Sequence, residues 1–247
     1  MDNQRNCLVT GGTSGIGAAI CRRILADAGE EDRVYINYGH DHRQAAGFLA
    51  SLSDRDREKV TLLPADLSTY EGMCAMTCEL RTLTDHLDWL VCNTGISSRD
   101  TFADLPFEQW QKIVDTNLSI PAYLVRELRD FMQPGGSVLF IGSYAGRQAY
   151  SSSLPYGVSK AAVHFLASAL VKELEPYGIR VNAIAPGFIE TPWHANRSTE
   201  SRERINNKIA LHRFGTTQEV ADLAHAVLSN GYMNGSIVDI HGGYDYL

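Results

Sequence analysis

No stretch of this chain approaches the ~18 to 20 consecutive apolar residues that span a bilayer, so no membrane partner is expected. The opening residues, MDNQRNCLVT, carry no signal-peptide pattern, and the expected location is the cytoplasm. A basic excess is also missing. Lys and Arg number 22 against 29 Asp and Glu, a net charge of −7, which argues against nucleic acid as a partner because nothing is available to release its counterions. Cysteines are few and odd in number: Cys7, Cys21, Cys74, Cys78 and Cys92. Three sit in apolar stretches, so a disulfide framework is not expected. Cys74 and Cys78 stand at helical spacing but have no His or Cys partners at finger spacing, and no metal is expected. Finally, no Gly-Lys-Ser/Thr follows the glycine-rich stretch at 11–17, which excludes a nucleotide-hydrolysing P-loop.

What is present begins with a short apolar strand, Cys7-Leu8-Val9, running into Thr10-Gly11-Gly12-Thr13-Ser14-Gly15-Ile16-Gly17. Ile16, Ile20, Ile24 and Leu25 then lie on one helical stripe. Gly11 permits the tight turn, Gly15 a close backbone approach to a pyrophosphate, and Gly17 the packing of helix on strand. The helix N-terminus offers free N–H groups to phosphate. Strands follow at Val34-Tyr35-Ile36, at Leu62 to Asp66 and at Trp89 to Cys92, separated by helical patterns. Such alternation predicts an α/β fold, a doubly wound parallel sheet of the Rossmann kind with helices on both faces.

An acid ~20 residues past the glycines would mark NAD by holding the ribose 2′-hydroxyl. Asn37-Tyr38-Gly39-His40 stand there instead, with no carboxylate before Asp41, and Arg43 close by favours NADP. The alternative for Arg43 is a solvated position on a helix starting near Asp41. Asp66 is placed either to accept from an adenine amino group or to cap the next helix.

In the second half, a helix is expected over Leu105 to Asn117, breaking before Pro121, and another runs to Met132. The Pro134-Gly135-Gly136 turn leads to an apolar strand ending at Ser143, and Ile179 to Ile184 forms a further strand before Pro186-Gly187. A long Ala-rich helix is predicted over Pro155 to Glu173. Tyr156 and Lys160 share one face of it, a turn apart. A phenol titrates near ~10, and a fixed ammonium beside it favours the phenolate. The bland alternative is a surface tyrosine and lysine that happen to share a helix face.

Taken together, TGGTSGIG, Asn93-Thr94-Gly95, Asn117, Ser143, Tyr156 with Lys160, and Pro186-Gly187 resemble the short-chain dehydrogenase/reductase superfamily over nearly the whole chain. GISSRD, APGFIET, RFGTTQEVADLA and DIHGGYDYL look most like 3-oxoacyl-[acyl-carrier-protein] reductases and related carbonyl reductases. The resemblance implies one domain over residues 1–247, with cofactor binding in about 1–120, catalysis in about 121–247 and a substrate lid at about 188–207. It implies that Tyr156 is a general acid, and that Lys160 lowers its pKa and holds the nicotinamide ribose. Ser143 would polarise the carbonyl, and Asn117 would hold a relay water. It adds Thr13, Ser14, Ile16, Asn37, Tyr38, Leu67, Ile189 and Thr191 to the cofactor set, and a homotetramer as the assembly. Two departures stand out. Thr94 replaces the family's usual alanine, and Ser14 and Tyr38 occupy places where NADP-using members often carry Arg or Lys.

The expected activity is NADP(H)-dependent reduction of a ketone, a 3-oxoacyl thioester, with NAD(H)-dependent oxidation of a sugar, steroid or other secondary alcohol as the alternative. A cofactor-binding scaffold without turnover would have lost one of the four catalytic residues. Ser97, Tyr144, Tyr150, Trp193 and His194 are candidates to line the substrate pocket. Arg126, Arg129 and Lys172 are candidates to dock an acyl carrier protein, against the alternative of solvated charge.

Overall fold

In the computed structural model, residues 4–149, 152–244 and 246 are described. Seven strands form one parallel sheet: β1 (Asn6–Val9), β2 (Arg33–Tyr38), β3 (Val60–Pro64), β4 (Leu87–Cys92), β5 (Met132–Ile141), β6 (Arg180–Pro186) and β7 (Ile237–Ile240). Their order is β3-β2-β1-β4-β5-β6-β7. Between β1 and β4 the order reverses, and the crevice beyond the strand ends at that point is where open α/β sheets bind ligands.

Side chains alternate between the faces, as the pleat requires. Cys7, Val9, Ile36, Val91, Leu139 and Ile184 turn toward α1 (Gly15–Ala26) and α9 (Thr217–Ser229). Leu8, Tyr35, Leu90, Val138, Phe140 and Val181 turn toward α4 (Tyr70–Leu83), α6 (Ile120–Leu128) and α7 (Leu154–Leu174). Both faces are therefore covered, which is why the strands read as continuous apolar runs. The shorter helices are α2 (His42–Ala50), α3 (Asp54–Glu58), α5 (Phe107–Val114) and α8 (Thr199–Asn206).

Two expectations need correction. The helix that was to break before Pro121 continues: α5 passes through a π-helical turn, Asp115–Ser119, directly into α6. Pro121 has no N–H to give the carbonyl of Asn117 four residues earlier, and the widened turn accommodates that defect. Second, α6 stops at Leu128, and Met132 already belongs to β5, in parallel register with Leu87. Leu154–Tyr177 is long and apolar enough in composition to cross a membrane. Its inner face nevertheless packs in the protein, with Lys160, Val163, His164, Ala167 and Leu174 buried, while Leu154, Val158 and Phe165 form an exposed apolar stripe.

Candidate active site

At the end of β5 the chain leaves the sheet through Gly142 and Ser143, and α7 begins eleven residues later with Pro155 in its first turn. These two elements converge. Lys160 is buried, and its ammonium donates to the Ile141 carbonyl at 2.7 Å. Burial lowers its pKa to about 8. Its Nζ lies 5.7 Å from the centre of the Tyr156 ring.

The phenol behaves differently from the expectation drawn from helical spacing. Burial pushes the Tyr156 pKa up, and a hydrogen bond with the Ser143 hydroxyl only partly offsets it. The lysine does not reverse that balance, because its ammonium is directed at a backbone carbonyl. Tyr156 is thus held protonated at neutral pH. Ser143 Oγ accepts from the Ala145 N–H at 3.1 Å, and its own proton is the one turned toward the Tyr156 oxygen.

Asn117 is buried in the π turn, and its amide is fully engaged. Its Oδ1 accepts from the Ile96 N–H at 2.8 Å, and its Nδ2 donates to the Ile96 carbonyl at 2.9 Å and to Ser159 Oγ at 3.0 Å. The side chain therefore ties the loop after β4 to α7. Any water held by Asn117 has to be held through its main-chain carbonyl.

A cavity of about 460 Å³ opens above this cluster. Gly11, Ser14, Gly15, Ile16, Asn93, Thr94 and Gly95 line one end; Pro186, Gly187, Ile189 and Thr191 line the roof. Gly15 has φ +52°, a left-handed conformation that favours glycine. Asn93 Nδ2 donates to the carbonyls of Thr10 and Gly11 at 2.9 and 3.1 Å, which fixes the glycine turn against the end of β4. Gly17 is needed for packing: a Cβ there would lie 2.4 Å from the Gly11 carbonyl oxygen. Gly17→Ala is expected to cost about 1–3 kcal/mol, seen as a lower urea midpoint, together with weaker dinucleotide binding by fluorescence titration. An unchanged midpoint would mean that the turn can shift to admit the methyl group.

The residues fit a dinucleotide. The Thr94 hydroxyl, in the cavity wall beside Gly11, is buried without a hydrogen-bond partner, a costly state that a ligand hydroxyl or amide relieves. The glycine turn offers the N-terminus of α1 to phosphate.

Not every sequence candidate reaches the cavity. Asn37 is buried, accepting from the Gly11 N–H and donating to the Leu63 and Ala65 carbonyls, so it has no donor left for a ribose. Tyr38 hydrogen-bonds His42 at 2.9 Å, and Thr13 donates to Gln44 at 3.3 Å. Arg43 is exposed on α2, outside the cavity. Asp66 accepts from the Ser68 N–H at 2.9 Å and meets His40 at 3.3 Å, while Thr69 caps α4. Leu67 is in the core.

Among the substrate candidates, Tyr144, Trp193 and His194 line the cavity, whereas Ser97 bonds Ser153 at 2.9 Å and lies outside it. Tyr150 falls outside the described residues. Phe188 and Arg197, inside the segment 188–207 but not singled out from the sequence, also line the wall, as does Tyr244, which sequence reasoning missed. Tyr144 stacks on His241 at 4.0 Å, and Phe188 lies 5.4 Å from Tyr244. The carrier-docking candidates are not among the residues that line this cavity. Arg126 and Arg129 lie over Tyr123 and Tyr177 beyond the cavity wall. Lys172 is twelve helical positions past Lys160, about 18 Å along the axis.

Comparison with known proteins agrees with this geometry. The family model described as Enoyl-(Acyl carrier protein) reductase matches residues 11–245. The chain is 32% identical to a 3-oxoacyl-[acyl-carrier-protein] reductase of Aquifex aeolicus, over 96% of this chain and 95% of that protein. It is 28% identical to an acetoacetyl-CoA reductase of Synechocystis sp., over 96% and 95%. Among solved structures, the NADP active-site complex of RhlG from Pseudomonas aeruginosa superposes with TM-score 0.86 at 32% identity, covering 98% of this chain and 96% of that one.

Proposed function

We propose that this chain, which belongs to the short-chain dehydrogenase/reductase superfamily and is an NAD(P)-dependent oxidoreductase, uses NADPH to reduce the ketone of a 3-oxoacyl thioester. The observation that carries the reading is the convergence of Ser143, Tyr156 and Lys160 on one cavity with the glycine turn, in a chain similar to 3-oxoacyl-[acyl-carrier-protein] and acetoacetyl-CoA reductases. A protonated phenol at that place is suited to give the proton that reduction requires. Bound NADPH supplies the hydride for the carbonyl carbon. The Ser143 hydroxyl donates to the carbonyl oxygen and stabilises the charge that develops there. Tyr156 transfers its proton to that oxygen. The Lys160 ammonium favours the resulting phenolate and holds the ribose hydroxyls. A water on the Asn117 carbonyl, which Pro121 leaves without its helical donor, returns the proton from solvent.

The preference for NADP rests on the end of β2. Asp41, the first carboxylate there, is engaged at the start of α2, accepting from the Gln44 N–H at 2.8 Å, while Arg43 is exposed beside it. The solved relative with NADP supports the same choice. Residues 188–207 act as the lid, and the exposed stripe of Leu154, Val158 and Phe165 on α7 supports assembly as a homotetramer. Five unpaired cysteines suit the cytoplasm.

The test is oxidation of NADPH and of NADH by the purified protein with an acetoacetyl thioester. Faster turnover with NADPH is expected. NADH preferred over NADPH would overturn the cofactor assignment, and reduction of no thioester would overturn the substrate.

A further inference from the structure

Two cations line the cavity, Lys160 and Arg197, and among the described residues no carboxylate lines it, although the chain carries a net charge of −7. Lys160 is engaged by the Ile141 carbonyl. Among the described residues, Arg197 is held by neutral acceptors: its Nε donates to His194 Nδ1 at 3.0 Å and one terminal nitrogen donates to Ser201 Oγ at 3.4 Å. A guanidinium has five N–H donors in a planar fork, so most of this one remains unspent. His194 is an uncharged acceptor there, because burial and the adjoining Arg197 and Arg202 lower the imidazole pKa to about 4. Arg204, Arg202 and Arg99 stand near enough to press on Arg197 with like charge. Of these, Arg202 is paired with Glu190. Glu200, the carboxylate closest in sequence, is engaged with Ser198 at the start of α8. The guanidinium carbon lies 5.5 Å from the centre of the Phe188 ring, at the aromatic wall.

We infer that Arg197 selects the substrate by binding an anionic group, a carboxylate or a phosphate, on a ketone whose apolar body packs against Tyr144, Phe188 and Trp193. This deepens the proposed reduction and rests on it for the ketone. The anion itself is recognised by a forked donor that meets no carboxylate among the described residues.

The test is calorimetric, on the protein saturated with NADP⁺. Two matched pairs are titrated: acetoacetyl-CoA against the neutral N-acetylcysteamine thioester of acetoacetate, and 4-oxopentanoate against its methyl ester. In at least one pair the anionic ligand should bind about 10- to 100-fold more tightly, and Arg197→Gln should shrink that ratio to about threefold or less. Arg197→Lys should keep part of the ratio. Preference in the first pair alone identifies phosphate, and in the second alone carboxylate. No preference in the wild type, or one that survives in Arg197→Gln, overturns the inference. So does an equal loss of NADPH affinity in Arg197→Gln, which would assign the side chain to the cofactor phosphates. Turnover is scored separately: if no ketone is reduced, the proposed reaction fails, while the binding ratios still decide the role of Arg197.

Discussion

Tyr156→Phe is expected to slow ketone reduction by about 10²- to 10⁴-fold while NADPH binding, followed by fluorescence, stays close to that of the wild type. The substitution removes one hydroxyl and keeps the ring, which packs 5.9 Å from the Trp193 ring. Lys160 keeps its bond to the Ile141 carbonyl, and the glycine turn is untouched. Only the proton donor is lost. The raised pKa of Tyr156 leaves the phenol ready for reduction and obliged to ionise before oxidation, so it sets the pH dependence of each direction, while the substitution slows both. Wild-type reduction should therefore hold its rate through neutral pH, whereas alcohol oxidation should climb as pH rises. A Phe variant with near-normal turnover would transfer the acid role to another group, and Ser143 would be the first to examine.

Much of this site was legible because its parts are local. A strand running into Gly11 to Gly17, a Tyr and Lys one turn apart on a helix, and a hydroxyl at a strand end are short-range patterns with direct geometric meaning. The sheet was legible for the same reason: strands buried on both faces read as uninterrupted apolar runs. What failed were inferences about where a polar group spends its hydrogen bonds. Asn37 sits at the right strand end for a ribose, yet three carbonyl acceptors and the Gly11 N–H consume its amide. Asn117 stood out in the sequence, but its side chain serves Ile96 and Ser159, a pairing across elements that no spacing encodes. The Pro121 signal was read as a break, and a π turn absorbed it. Arg197 and Tyr244 reach the cavity only because the segments that carry them fold back to the end of β5, contacts separated by dozens of residues. The phenol pKa was misjudged since burial, a property of the whole fold, outweighs a neighbour one helical turn away.

Lys160→Met should abolish most activity, by about 100-fold or more, and yet leave the fold at least as stable at pH 7. Lys160 is buried, and its pKa falls from 10.5 to about 8 because the charged form is poorly solvated there. That shift corresponds to about 3 kcal/mol by which the folded state disfavours the ammonium at neutral pH. Below pH 8 both folded and unfolded chains carry the proton, so the full penalty applies. Between about 8 and 10.5 the folded protein has released it while the unfolded chain still holds it, so stability rises with pH across that window. Methionine has nothing to titrate and fills a similar volume. Urea unfolding of both proteins, without cofactor, at pH 7 and again near pH 10 isolates this effect from every titration they share. The wild type should gain up to about 3 kcal/mol relative to the variant over that interval. Loss of the Ile141 hydrogen bond sets a cost in the opposite sense, of about 1 kcal/mol, and it does not depend on pH in the variant. The pH slope is therefore the cleaner measurement. If the difference between the two proteins were flat from pH 7 to 10, Lys160 would not be a strained buried cation. Its activity defect would then have to come from lost cofactor contacts alone, which a raised KM for NADPH with little change in kcat would reveal.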